Sequence, residues 1–418
     1  MLTLTMRLTC KQAEGCALIG PRIQKTPGDT MQKERFTRTH QLTVLAAMLL
    51  SASGYALADL NVGVILSTSG PGASLGTPAE NTIKLWPKEI AGQKVNLTIL
   101  NDNSDTVESS KVANRLITEN KVDVIVGPSL TPNSVAAVDV AGRNQTPIIA
   151  LGGGGVIVEP QEGARKWAFK MPAPEGLSVN LVLDHMVKNK VKNVAAIVVT
   201  TSYGEGFLKT LQALAPAKGI NVVAVEKYQA SDISVTSQML KILAVSPDAV
   251  YVLSFGTAAV LPQFETTNRG YKGLVYQTHG VANAKYLELG GKNVEGTYLA
   301  VAPVLVAEQL PDSNVTKKVG VEYARRYEAQ NGVGSRSLFG STAWTALEWL
   351  QDAVPNALKK AKPGTPEFRS ALRDSLEGMK EVVSPEGVFN MSPSNHNGLD
   401  ERSQVLVRVE GGAWKLVK

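Results

Sequence analysis

From Asp59 onward, short runs of branched apolar residues alternate with longer stretches whose apolar positions recur every three or four residues. Residues 61–66 (NVGVIL), 95–100, 122–126 and 147–151 have the character of strands. Between them, 78–90, 106–120 and 133–143 carry helical spacing; in the second, Val107, Val112, Leu116 and Ile117 mark one face. Strands that are apolar throughout, rather than alternating, belong to parallel sheets covered on both faces. The succession restarts after Pro172-Ala173-Pro174. Strands are predicted at 194–200, 221–226, 249–254 and 274–278, with helices at 206–217, 235–243 and 261–269. Two such units with right-handed crossovers predict an α/β protein of two Rossmann-like lobes. Beyond a strand at 298–302 the chain turns helical (316–330, 342–360, 367–377) and closes on short strands at 388–389 and 405–409. So few strands make this tail a cover for the first lobe rather than a third domain. Pro87, within 83–90, either ends or kinks the helix near Trp86 or begins a second helical turn.

The first 58 residues follow another pattern. Met31 opens the basic run QKERFTR, 42–50 (LTVLAAMLL) is apolar, and SASGYALA ends in Ala56-Leu57-Ala58. These are the three parts of a secretory signal peptide. Nine apolar residues span about 14 Å as a helix, well short of a ~30 Å bilayer core. A leader at 31–58 is therefore expected, cleaved after Ala58, with 1–30 a non-native extension ahead of the true start at Met31. Export to a periplasm follows.

Cleavage changes the composition. The whole chain carries 43 basic and 37 acidic side chains, a formal charge of +6, which invites a nucleic-acid reading. The leader and extension hold seven basic and three acidic residues, so 36 and 34 remain, a charge of +2. A nucleic-acid partner is then not expected. Both cysteines, Cys10 and Cys16, leave as well, and with them any disulfide, thiolate metal site or cysteine nucleophile.

In an open parallel sheet, ligands bind beyond the carboxyl ends of the strands. Here those ends run into Ser67–Gly72 (STSGPG), 127–133 (GPSLTPN) and the four glycines 152–155. They are rich in glycine and hydroxyls and nearly free of charge, suited to close backbone approach by a small carboxylate. The glycines alternatively form a flexible loop. Nucleotide fingerprints do not fit: no Lys-Ser/Thr follows, and Ile157 occupies the last position of a G-x-G-x-x-G read from Gly152. No catalytic constellation, metal cluster or cofactor motif is present, so an enzyme is not expected. Of the three histidines beyond residue 58, His185 reads as a partly covered surface residue and His396 as a loop residue. His279 ends a strand on the ligand-loop edge, where it either faces a pocket or makes structural hydrogen bonds. Asp102 ends the second strand as a candidate helix cap. Tyr203 and Phe255 stand at strand ends of the second unit, facing a cleft or filling core.

Taken in order, VGVILSTSGPGASLG, VDVIVGPSLTPNS, TPIIALGGG, TSYGEGF, the long stretch from YQASDISVTSQ to VYVLSFG, and NRGY resemble the branched-chain amino-acid (Leu/Ile/Val) type of periplasmic solute-binding protein of ABC importers. The resemblance spans nearly all of 59–418. It implies the type I fold, two lobes joined by three hinge crossings, here near 172–175, 302–304 and 387–389. The first lobe is then 59–174 with 304–388, and the second 175–303 with 389–418. It also implies site residues: Ser129 and Thr131 with Gly152, Gly153 and Gly154 for a ligand carboxylate, and Tyr203 and Phe255 from the second lobe. Two positions depart from the family. Leu75 stands where an aromatic covers the side chain, and His279 where an acidic residue holds the ammonium. Histidine pairs poorly with an ammonium, so an aromatic or 2-oxo acid is expected in preference to an α-amino acid. The implied protein is a monomer that closes on its ligand and delivers it to an inner-membrane permease. A branched-chain amino-acid binder of the same fold, and a ligand sensor partnering a signalling protein, are the competing readings.

Overall fold

A computed structural model describes residues 59–417. The proposed leader, the extension and both cysteines lie outside the described residues. The first sheet holds β1 (Leu60–Leu66), β2 (Glu89–Ile90), β3 (Gln93–Asn101), β4 (Val124–Val126), β5 (Ile148–Ala150) and β6 (Ala168–Lys170). Their order is β2-β3-β1-β4-β5-β6, parallel except for β2. Helices α1 (Ala73–Ile83), α2 (Thr106–Thr118) and α3 (Thr131–Arg143) make the first crossovers. The apolar run of β1 from Val62 to Leu66 has a direct cause. Val62, Val64 and Leu66 belong to one apolar cluster, whereas Ile65 packs into another with Leu116 of α2 and Val138 of α3.

The second sheet is built likewise. After α4 (Glu175–Lys188) come β7 (Asn193–Val199), α5 (Ser202–Leu214), β8 (Asn221–Tyr228), α6 (Thr236–Ala244), β9 (Ala249–Leu253), α7 (Val260–Asn268), β10 (Leu274–Gln277), α8 (Ala284–Gly290) and β11 (Tyr298–Val301). The tail follows as α9 (Lys317–Asn331), α10 (Leu338–Leu358), α11 (Pro366–Glu377) and a hairpin of β12 (Val382–Ser384) and β13 (Gly387–Phe389). Then β14 (Val405–Glu410) and β15 (Ala413–Leu416) complete the order β15-β14-β11-β10-β9-β7-β8. The expected two-lobed α/β architecture is present. In each sheet the first strand lies between the next two parallel strands, β1 between β3 and β4, β7 between β8 and β9. Successive crossovers therefore diverge there and leave a crevice at the carboxyl ends of the strands.

Several boundaries differ from the sequence reading. Helix α1 begins at Ala73 and ends at Ile83, rather than spanning 78–90. The Trp86 amide donates to Ile83 O at 3.0 Å, after which the chain enters β2, so Pro87 follows the helix instead of kinking it. The hydrophobic pattern does not signal β6, three residues long and containing Lys170, nor α8. Tail helices pack onto the first lobe: the hydroxyls of Tyr323 (α9) and Thr82 (α1) are 3.3 Å apart. Residues 389–398 stay with that lobe too. Phe389 meets Trp349 of α10 edge-on, His396 stacks on Phe169 at 4.2 Å, and Asn397 Nδ2 donates to the carbonyls of Lys170 and Pro172. The third passage between sheets therefore falls at 399–404, later than 387–389.

Candidate functional site

The loops after β1, β4 and β5 converge from the first sheet, and those after β7, β9 and β10 from the second. Between them lies a narrow cavity with about 320 Å³ of empty space, its mouth included. Leu75, Ser129, Leu130, Thr131, Leu151 and Gly153 line it from the first lobe, and Tyr203, Phe255, His279 and Gly280 from the second. Pro172, at the first crossing, and Phe339, at the start of α10, complete the wall. Of the site residues expected from sequence, seven therefore share one cavity: Leu75, Ser129, Thr131, Gly153, Tyr203, Phe255 and His279. Gly152 and Gly154 are not wall residues; they pack behind it.

Close packing explains the glycines. A Cβ on Gly152 would lie 2.8 Å from Ser134 Oγ, one on Gly153 2.7 Å from His279 Nε2, and one on Gly154 2.5 Å from Thr131 Cγ2. The loop is held in contact on both sides rather than left loose. Its amides are used: Gly154 N–H donates to Thr131 Oγ1 (2.9 Å), and Gly155 N–H to Glu175 Oε1 (2.8 Å) at the start of α4. Across the crevice, Ser67 N–H donates to Ser129 Oγ (3.3 Å). Each hydroxyl thus accepts from a backbone amide and keeps its own proton available to an incoming acceptor.

Asp102 frames these loops. It is fully buried and accepts from Ser67 Oγ (2.7 Å), Asn133 Nδ2 (2.8 Å) and Ser104 N–H (3.0 Å), tying the ends of β1 and β3 to α3. The expectation of a helix cap is corrected, for Asp105 caps α2 through Glu108 N–H. Three residues of separation in sequence put the nearer carboxylate at the cap.

The second lobe supplies aromatic surface. Tyr203 is 5% exposed; its hydroxyl donates to Thr278 Oγ1 (3.0 Å), which donates on to Ser254 O (2.6 Å). Burial holds the phenol well above its ordinary range. The Tyr203 polar tip is thus spent within the protein, and its ring faces the cavity, with Phe255 perpendicular at 5.9 Å. His279 is 3% exposed and lies edge-on to Tyr203 and Phe207. Its Nε2 is buried with no hydrogen-bond partner. Burial, helped by the nearby Lys170 ammonium, lowers its pKa to about 3, so the ring is neutral at physiological pH.

Sequence reasoning missed Pro172, Phe339 and Lys170. Nothing local marks Phe339, whose helix is capped by Ser337 through Gly340 N–H (3.1 Å). Its place is set by the preceding amide, Leu338 N–H, which donates to Ala282 O (3.0 Å) just beyond His279. Lys170 is fully buried under the first crossing and donates to the carbonyls of Pro172 and Ala173. Burial lowers its pKa to about 8, while Glu175 and Glu159 act to raise it. Among the described residues, no group of three or more His, Cys, Asp or Glu side chains is placed to hold a metal ion. No helix among them is long and apolar enough to cross a membrane.

The family described as periplasmic binding protein matches residues 59–413. A Leu/Ile/Val-binding protein homolog from Brucella melitensis is 25% identical, covering 84% of this chain and 92% of its own. An extracellular ligand-binding receptor from Rhodopseudomonas palustris HaA2 is 42% identical, with a TM-score of 0.83 over 86% of this chain and all of that one. A solute-binding protein of an ABC transporter from R. palustris, solved with benzoate, shares the fold at 19% identity. Its TM-score is 0.72, covering 86% of this chain and 95% of its own.

Proposed function

Because the chain belongs to the periplasmic binding protein family, we propose that it captures a small carboxylate, an aromatic or 2-oxo acid in preference to an α-amino acid, and delivers it to an ABC importer permease. Members of the family bind solutes and are not enzymes. One observation carries the ligand assignment: every residue lining the cavity is uncharged, and the second lobe offers a neutral imidazole at His279. An α-ammonium closed into such a site meets no carboxylate, and an unpaired buried charge is heavily penalised. A ligand carboxylate instead meets the free hydroxyl protons of Thr131 and Ser129, and an apolar body meets Leu75, Tyr203, Phe255 and Phe339. The benzoate held by a neighbour of the same fold agrees with this choice.

Capture proceeds by closure of the lobes. The first lobe holds the carboxylate, and only the closed form adds the aromatic face, so ligand shifts the population toward closure. The protein acts as a periplasmic monomer, with the leader at 31–58 directing export. Isothermal calorimetry with benzoate-type acids, 2-oxo acids and leucine tests the assignment. Binding of at least one of the acids with weak or no leucine binding is expected; tight leucine binding without acid binding overturns it.

A further inference from the structure

His279 is the one cavity residue whose polar atom is buried without a partner. Tyr203 has spent its hydroxyl on Thr278, and Thr131 and Ser129 are anchored by backbone amides. Nε2 instead sits against the glycine loop, where a Cβ on Gly153 would come within 2.7 Å. Phe207 and Tyr203 wedge the ring edge-on at 5.4 and 5.8 Å between centroids, which restrains its turning away. A buried polar nitrogen left unmatched is unfavourable, and matching it on ligand binding recovers that loss.

We infer that His279 reads an uncharged oxygen on the ligand, a hydroxyl or a keto group, at a point separate from the carboxylate held by Thr131 and Ser129. A hydroxyl suits either imidazole tautomer, because it donates and accepts; a keto oxygen suits the form with a proton on Nε2. A bare hydrocarbon leaves Nε2 unmatched, and an ammonium brings a charge that the neutral ring does not offset. The preferred ligands are thus hydroxy- or oxo-substituted carboxylates. This deepens the carboxylate reading and rests on it. Low basicity keeps the ring neutral at physiological pH, so it meets the ligand oxygen without a charge of its own.

The test compares matched sets on the full mature chain: benzoate with its 2-, 3- and 4-hydroxy derivatives, and leucine with its 2-hydroxy and 2-oxo analogues. At least one oxygen-bearing member is expected to bind ~10-fold or more tightly than its parent, the gain of one well-placed hydrogen bond. In His279→Leu that ratio is expected to fall toward one, and in His279→Asn, which keeps a donor and an acceptor, to be partly retained. A ratio unchanged in both variants, or no oxygen-bearing member exceeding its parent, overturns the inference while leaving carboxylate binding standing. Failure of every acid to bind overturns the carboxylate reading itself. Circular dichroism of each variant separates misfolding from loss of the ratio, and His279→Asn serves if His279→Leu does not fold.

Discussion

Thr131 carries the heaviest polar duty at the cavity, since its hydroxyl both anchors Gly154 and faces the space a carboxylate would fill. Thr131→Val keeps the volume and removes the hydroxyl. Carboxylate affinity is expected to fall at least ~10-fold by calorimetry, the loss of one charge-assisted hydrogen bond and of the loop anchor. Gly153 makes a different contribution. Gly153→Ala puts a methyl against His279 Nε2 and Tyr203 Cε2, at 2.7 and 2.9 Å, so both second-lobe side chains must draw back from the glycine loop. Affinity is expected to drop ~100-fold, about 2.7 kcal/mol, while the ligand-free melting temperature changes little. The four consecutive glycines were visible in sequence, but a flexible loop and a tight contact look alike there. The atoms that crowd them come from α3 and from the other lobe.

Strands and helices were readable wherever both faces of an element are buried, as in β1 and β7. The exceptions are physical. β6 is short and carries a buried lysine, and α1 begins among small residues whose helical spacing is faint. Between elements, Asp102 is the joint: β1, β3 and α3 all meet on its carboxylate. Asp102→Ala leaves three donors without their acceptor in a buried site. It is expected to cost about 2–4 kcal/mol in urea unfolding and to weaken ligand binding by loosening Ser129 and Thr131. Asp105→Ala, which removes only the α2 cap, is expected to cost about 1 kcal/mol and leave affinity intact.

For the molecule entire, two behaviours are expected. Saturating acid ligand should reduce the radius of gyration in small-angle scattering; identical profiles with and without ligand count against closure. Stability should also depend on pH in a defined sense. Burial raises Glu348 and Glu386 to about 8 from an ordinary value of 4.5, so the folded state holds protons that the unfolded chain releases. Their stabilisation is present below pH 4.5 and lost as pH rises through 8. His279, lowered to about 3 from 6.5, acts oppositely: its contribution is present above pH 6.5 and lost as pH falls toward 3. Denaturant unfolding should show stability declining from pH 6.5 to 8 by at least about 1.4 kcal/mol, and Glu386→Gln should make that limb shallower, leaving the share of Glu348.

Hydrophobic periodicity alone was enough for two α/β units and a helical cover, because the inner parallel strands β1, β4, β7 and β9 are covered on both faces and so are apolar on both. It was enough, too, to place Ser129, Thr131, Tyr203, Phe255 and His279 at carboxyl ends of strands, because strand order makes those ends the open edge. Folding settled the rest. Phe339 reaches the cavity from a segment far along the chain, Asp102 and Asp105 divide their duties by distance, and His279 loses its basicity because two rings and a lysine enclose it. These depend on which side chains become neighbours across the cleft, and neighbours so remote along the chain leave no local trace.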